Sequence, residues 1–327
     1  MTTRRHILGL GAACLLSLHL SQAEAQSANW PARPIKIIVP YPTAGVSDTI
    51  VRMLAERLSL ALGQPCIVEN RAGAGGTLGM DIVAKANPDG YTLGFAAISP
   101  LTLNPHVMKV PYDALKDFAP IASAMYSPIY LLATQKFAGN TFEDVIELSR
   151  TKPGSITIAT SGYGTVGHIM VEQLRKKSGV NLTHVPYKGG AQISTDALGG
   201  QFDLMLANPY ANLNAMIEQG KLRALAIGAP KRLANLPKVR TFEELGYPEV
   251  NLTSLFGFFA PGGTPTDIIE KLNTEINKVL NETTTQERVR KTENLVMIST
   301  PAEFTATIRR EFAANAIIVK EADIKAE

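Results

Sequence analysis

The chain has 327 residues, 45% of them hydrophobic, and carries 32 Lys and Arg against 29 Asp and Glu for a formal charge of +3. That length and apolar content suffice for two hydrophobic cores, and a charge so close to balance predicts neither a nucleic-acid partner nor attraction to a membrane surface. No cluster of Cys, His and carboxylates stands at ligand spacing, so no metal or other cofactor is expected.

At the N-terminus, Arg4 and Arg5 precede an apolar run from Ile7 to Leu20, followed by Ala23-Glu24-Ala25. A basic region, an apolar region and an A-x-A site describe a secretory signal over residues 1–25, cut before Gln26. The run is too short to span a bilayer and His19 interrupts it. The arginine pair is also compatible with twin-arginine export. Cleavage removes Arg4, Arg5 and Glu24, taking the formal charge to +2, and leaves Cys66 as the single cysteine, so no internal disulfide can form.

The mature chain opens with a buried strand at Ile35–Val39 and a Pro/Gly loop at Tyr41–Ser47. A helix follows, with Ile50, Leu54, Leu58 and Leu62 on one face and Gly63 at its end. Cys66–Glu69 reads as a strand, Asn70–Gly76 as a glycine-rich loop, Leu78–Ala86 as a helix, and Tyr91–Ala96 as a third strand after the turn Asn87-Pro88-Asp89-Gly90. A second series begins with a strand at Ile129–Thr134 and a helix at Phe142–Thr151. It continues with strand Ser155–Thr160, helix Val166–Ser178, strand Leu182–Val185, and a short helix ending at Gly199-Gly200. Strands Phe202–Leu206 and Leu222–Ile227 flank one more helix. After the apolar run Leu255–Ala260 the tail is helical, with Ile268, Leu272, Ile276 and Leu280 on one face and a capping box at Thr300-Pro301-Ala302-Glu303. The repeated strand–loop–helix order predicts an α/β protein with largely parallel sheets. No flexible linker separates the two series, which predicts two lobes joined by crossover strands, with a cleft where the glycine-rich loops meet.

Ile156–His168 (ITIATSGYGTVGH) is the most informative stretch. A β-branched run stops at a Ser-Gly-x-Gly-Thr loop and a helix begins at once, an arrangement that turns backbone N–H groups toward one point at the positive end of a helix dipole. Two readings follow from the residues: an anion site, or an ordinary strand-to-helix turn capped by Ser161 or Thr165. Gly162, Gly164 and Gly167 also spell G-x-G-x-x-G, but a dinucleotide site needs an acidic residue about 20 positions on. Leu182-Thr183-His184-Val185-Pro186-Tyr187-Lys188 supplies none. No G-x-S-x-G, H-E-x-x-H or Walker A motif is present, so no catalytic residues are assigned and no enzyme is expected.

The segments WPARPIKIIVPYPTAGVSD, VENRAGAGG, NPDGYTL, SGYGTVGH, HVPYKGGAQISTDALGGQFDLM, GKLRALAI and FFAPGGTP occur in this order across nearly the whole mature chain. As a set they closely resemble the periplasmic solute-binding receptors of tripartite tricarboxylate transporters, the Bug-type receptors. The resemblance implies a two-lobed periplasmic-binding-protein fold (a Venus flytrap, type II-like) with lobe 1 at 26–125 plus 257–327 and lobe 2 at 126–256. It implies a periplasmic monomer that captures a small carboxylate and hands it to transmembrane permease subunits. A dicarboxylate, an aromatic carboxylate or an amino acid would each qualify. Where the family usually has Gly-Gly in the first loop, this chain has Ala44-Gly45, and the Ala44 methyl is expected to narrow the backbone approach there.

On this pattern Tyr41, Thr43, Gly45 and Val46 line the pocket from the first lobe, with Ala74 and Gly75 bringing backbone close to the ligand. From the second lobe, Ser161, Gly162, Gly164 and Thr165 hold the carboxylate. His168, in the first helical turn, either packs or meets the ligand. Tyr187 sits on the cleft rim beside a solvated Lys188, Asp203 resembles an acidic position close to the pocket, and Asn208 faces the cleft. Asp48 is read as a helix cap and Arg71 as a solvated loop charge. A sensor that presents its loaded form to a membrane kinase is an alternative to transport, and an NAD-linked α/β enzyme is a more distant one.

Overall fold

The structure is a computed structural model that describes residues 30–324, so the expected signal segment and its cleavage site lie outside the described residues. The first series runs β1 (Ile35–Val39), α1 (Val46–Leu62), β2 (Cys66–Asn70), α2 (Thr77–Ala84), β3 (Thr92–Ala97), α3 (Ser99–Thr102), α4 (Asn104–Val107) and β4 (Phe118–Ser127). The second runs β5 (Ile129–Ala133), α5 (Phe142–Thr151), β6 (Thr157–Thr160), α6 (Val166–Ser178), β7 (Thr183–Pro186), α7 (Gly190–Leu198), β8 (Leu204–Ala207), α8 (Ala211–Glu218) and β9 (Arg223–Gly228). The chain closes with β10 (Ser254–Pro261), α9 (Thr266–Asn281), α10 (Thr283–Arg290), β11 (Leu295–Val296) and α11 (Pro301–Glu321).

Two sheets result, one in the order β11-β4-β10-β3-β1-β2 and one in the order β7-β6-β8-β5-β9. The chain passes from the first sheet to the second at Pro128, between β4 and β5, and returns ahead of β10. The fold is therefore two-lobed α/β with crossing strands, as the sequence predicts. The expectation of largely parallel sheets is corrected. β1 pairs in parallel with β2 and β3, and β6 with β7 and β8, but β4, β5, β10 and β11 make only antiparallel pairs. Strands that carry the chain across the cleft run against the βαβ strands they join. β4 was not visible in the sequence because its ten residues, FAPIASAMYS, are mostly small and include a proline.

Local chemistry explains the principal helices. Ile50, Leu54 and Leu58 bury one face of α1, and Gly63 ends it in the left-handed region at φ 67°. At α11, Thr300 Oγ1 accepts from the Glu303 N–H at 3.2 Å while Glu303 Oε2 accepts from the Thr300 N–H at 2.8 Å, the anticipated capping box. One core lies beneath α1 and α9, around Ile37, Leu54, Phe95 and Phe258; another surrounds Leu131, Ile158, Met170 and Leu204. A smaller cluster of Leu103, Val107, Ile169, Val319 and Ile324 ties both lobes to the C-terminal segment. Among the described residues no helix is long and apolar enough to cross a membrane.

Candidate functional site

β1 and β6 each run into a loop and then a long helix, and the two loops meet between the lobes. The cavity there offers about 70 Å³ to the centre of a water-sized sphere. Its first-lobe wall comprises Tyr41, Gly45, Val46, Ser47, Ala97 and Ser99. Across from it stand Ser161, Thr165, Val166, Gly167 and Ile193, and Asn208, Ser254 and Phe256 lie at its hinge side. Among the described residues, no Asp, Glu, Lys, Arg or His lines the cavity.

Its electrostatics come from backbone. Gly45 is the extended N-cap of α1, and the first helix donor to find a partner is the Thr49 N–H, to Gly45 O at 3.0 Å. At α6, Thr165 is the N-cap: its Oγ1 accepts from the His168 N–H at 3.4 Å, and Ile169 N–H bonds Thr165 O at 3.2 Å. The N–H groups of Val46 and Ser47, and of Val166 and Gly167, take no hydrogen-bond partner among the described residues. All four residues line the cavity. Two helix N-termini thus converge on it from opposite lobes, each with free amides and a partial positive charge of roughly half a unit. Tyr41 Oη is buried next to Ser99 and the Ala97 backbone, and burial raises its pKa, so the phenol remains a proton donor.

Of the residues expected from sequence, Tyr41, Gly45, Val46, Ser161, Thr165 and Asn208 line the cavity. Asn208 is held in place there, its Nδ2 donating to Pro128 O and Ser254 Oγ, both at 3.1 Å. The remainder are placed otherwise. Thr43 is exposed and outside the lining, as is Ala74, whose carbonyl accepts from Asn104 Nδ2 at 3.3 Å. Gly162 and Gly164 do not offer free amides: the first donates to Thr160 Oγ1 at 3.2 Å and the second to His168 Nδ1 at 3.3 Å. The Thr165 hydroxyl proton goes to Gly162 O at 2.7 Å, leaving that group a cap and not a donor to a ligand.

Gly75 and Gly164 lie where the lobes touch. A Cβ on Gly75 would stand 2.3 Å from Tyr163 O, and one on Gly164 would stand 1.9 Å from Asn104 Oδ1. Their lack of a side chain allows the second lobe to rest on the first. His168 is 2% exposed and faces away from the cavity, and half-buried Tyr187 packs its ring against Phe202 outside the lining. Asp203 sits at the start of β8, where its Oδ2 accepts from Thr157 N–H at 2.9 Å and from Thr157 Oγ1 at 2.6 Å. That is the end of the strand opposite Asn208, about 16 Å away at strand rise, so Asp203 secures the sheet and not the cleft.

Two smaller expectations also change. Asp48 is not the N-cap; from the first turn its Oδ2 reaches back to the Ala44 N–H at 2.9 Å while its Oδ1 takes Arg52 Nε at 2.9 Å. Those contacts hold its carboxyl below the usual range against the opposing effect of burial. Ala44 is exposed with φ 63°, so its methyl burdens the backbone and does not narrow the cavity. Arg71 is an exposed loop charge, and it pairs with Glu69. Ser47, Ser99, Gly167, Tyr210 and Ser254 are lining residues that sequence reasoning did not name as site residues. Ser99 could have been found from its place just beyond β3, because ligands in such sheets gather at strand C-terminal ends.

Two α/β lobes joined by crossing strands around a cleft fed by helix N-termini define a solute-binding protein of the periplasmic type. The sequence profile of the tripartite tricarboxylate transporter family receptor (TctC) matches residues 50–324, and the chain belongs to that family. It is 35% identical over 308 residues to protein BugT of Bordetella pertussis, an alignment covering 93% of each chain. It also resembles the periplasmic binding protein BugD, with a TM-score of 0.86 and 32% identity over 91% of this chain and 100% of that one. A protein of R. palustris determined with adipate matches with a TM-score of 0.85 and 29% identity, over 91% of this chain and 100% of the other.

Proposed function

We propose that this chain captures a small carboxylate in the periplasm and delivers it, chemically unchanged, to permease subunits of a tripartite tricarboxylate transporter. The observation that carries the reading is the pair of opposed helix N-termini whose first amides have no partner, around a cavity with no charged side chain in its lining, among the described residues. An anion there takes charge-assisted hydrogen bonds, about 1.5–3 kcal/mol each, without a cation having to be desolvated. The adipate bound to the R. palustris relative supports the ligand class. A short dicarboxylate fits best, since one acidic end can face each helix.

Residues 1–25 direct export and are cut off in the course of it, and the protein works as a monomer without cofactor or catalysis. Lobe 1 (26–125 plus 257–327) and lobe 2 (126–256) move about the crossing strands, and the ligand favours closure through contacts made to both. A thermal-shift panel of dicarboxylates, aromatic carboxylates and acidic amino acids tests this. A ligand at 100 times its Kd contributes about 2.7 kcal/mol, worth about 2–4 °C per kcal/mol in domains of this size. A stabilising hit is expected among the dicarboxylates, and silence across the panel would defeat the reading.

A further inference from the structure

Behind the cleft, on the far face of loop 161–165, two imidazoles lie stacked. His168 of α6 and His184 of β7 have ring centroids 4.9 Å apart and planes 18° from parallel. The Tyr163 ring meets both edge-on at 5.2 Å. Neither histidine lines the ligand cavity. Each is bonded instead to the loop that forms part of it.

His168 Nδ1 accepts the Gly164 N–H at 3.3 Å, so that nitrogen carries no proton. His184 Nε2 lies 2.7 Å from Thr160 Oγ1, the same oxygen that accepts the Gly162 N–H at 3.2 Å. The other acceptor within reach of the Thr160 proton, Gly162 O, is 3.5 Å away, so the hydroxyl donates to the ring. One imidazole thus holds Gly164 directly, and the other holds Gly162 through Thr160.

The titratable and charged groups facing the pair are Tyr163 from the loop, Glu172 and Arg175 from α6, and Asp323 from the segment after α11. Glu172 Oε1 is 3.9 Å from His168 Nε2 and is paired with Arg175. Burial, reinforced by Arg175, lowers His168 to about 4, and burial, reinforced by the neighbouring His168 and by Arg175, lowers His184 to about 3. Both rings are therefore neutral near pH 7.

Loop 161–165 has two tasks. It delivers the Val166 and Gly167 amides to the cavity, and through Tyr163 O and Gly164 it rests on Gly75 and Asn104 of the first lobe. We infer that His168 and His184 are positioning residues of opposite tautomer, with His168 protonated at Nε2 and His184 at Nδ1, whose bare nitrogens fix this loop for ligand binding and for lobe contact. The bearing on affinity rests on the carboxylate-receptor reading; the tautomer assignment stands apart from it.

Two measurements on the whole exported chain test the pair. Nitrogen NMR of histidine-labelled protein at pH 7 is expected to show one Nε2–H and one Nδ1–H tautomer for these rings. A proton on His168 Nδ1 or His184 Nε2 would overturn the assignment, as would a doubly protonated ring. Calorimetry with succinate, malate and adipate then compares variants. His168→Asn and His184→Gln keep an acceptor at the same place and should bind within about threefold of the wild type. His168→Leu and His184→Leu remove it and should weaken binding at least tenfold. Folded leucine variants that bind as tightly as the wild type would refute a positioning role. Should they not fold, the tautomers decide. If the wild type binds none of these acids, the dicarboxylate form of the receptor reading fails while the tautomer measurement still judges the pair.

Discussion

Gly164→Ala, set against a control glycine, tests the lobe contact. The new Cβ would lie 1.9 Å from Asn104 Oδ1 and 2.8 Å from its Cγ. Asn104 cannot retreat, being 0% exposed with its Nδ2 held by Thr77 Oγ1 at 2.7 Å. Ordinary contact begins at 3.4 Å, so the lobes must part by about 1.5 Å at this point. Overpacking of this kind costs about 1–3 kcal/mol. Charged against the closed form alone, that raises the apparent Kd about 5- to 150-fold. Alanine at φ 70° adds about 1–2 kcal/mol of left-handed strain, which falls on open and closed forms alike. Gly179→Ala is the control: its φ is 68°, and nothing lies within 4 Å of the added Cβ. Both variants should lower the melting temperature of the free protein, but only Gly164→Ala should weaken carboxylate binding in isothermal calorimetry. Equal affinities for the two would refute the claim that ligand binding draws on this lobe contact.

Other substitutions separate the roles of neighbouring residues. Ser161→Ala removes a cavity hydroxyl and should raise Kd about 10-fold or more, given about 1.5–3 kcal/mol for a bond to a charged group, whereas Lys188→Ala, at an exposed position, should leave calorimetric Kd unchanged. Asp203→Ala orphans the Thr157 N–H, so thermal unfolding should show a loss of about 1–3 kcal/mol while Kd stays the same. Ala44→Gly relieves a left-handed alanine and should raise thermal stability by up to about 1 kcal/mol after glycine's greater unfolded freedom is deducted, with affinity unaltered. His168 and His184 titrate lower when folded than the unfolded value of about 6.5, so their contribution is complete above that pH and lost as pH falls toward 4 and then 3. Calorimetric scans from pH 7 to pH 4 should show stability declining, less steeply in the His168→Asn, His184→Gln double variant.

How much of this was legible in the chain depended on whether the signal was local. The helix α1 and its loop announce themselves through Pro40, Pro42 and Gly45 followed by an apolar stripe, and Thr165 is recognisable as a cap candidate before α6. The glycines were legible as special positions but not in their role, because Gly164 meets Asn104 across 60 residues of sequence and no local pattern records that contact. Gly162 and Gly164 illustrate the further difficulty that an amide available in principle is consumed by a side chain such as Thr160 or His168. Ser254 and Phe256 reach the cavity on a crossing strand that begins a separate stretch of chain. Asp203 and Asn208 could have been separated by strand polarity alone, since they bracket the four residues of β8. Only the latter stands at the strand's C-terminal end, where the cleft lies.

The most direct test of the central claim is a crystal structure of the exported protein with the dicarboxylate that stabilises it best. The account predicts one carboxylate within about 3.2 Å of the Val166 and Gly167 amides, and the other acidic end toward the Val46 and Ser47 amides, with no Lys or Arg side chain bound to either. A ligand carboxylate paired with a basic side chain, or bound away from both helix N-termini, would contradict it.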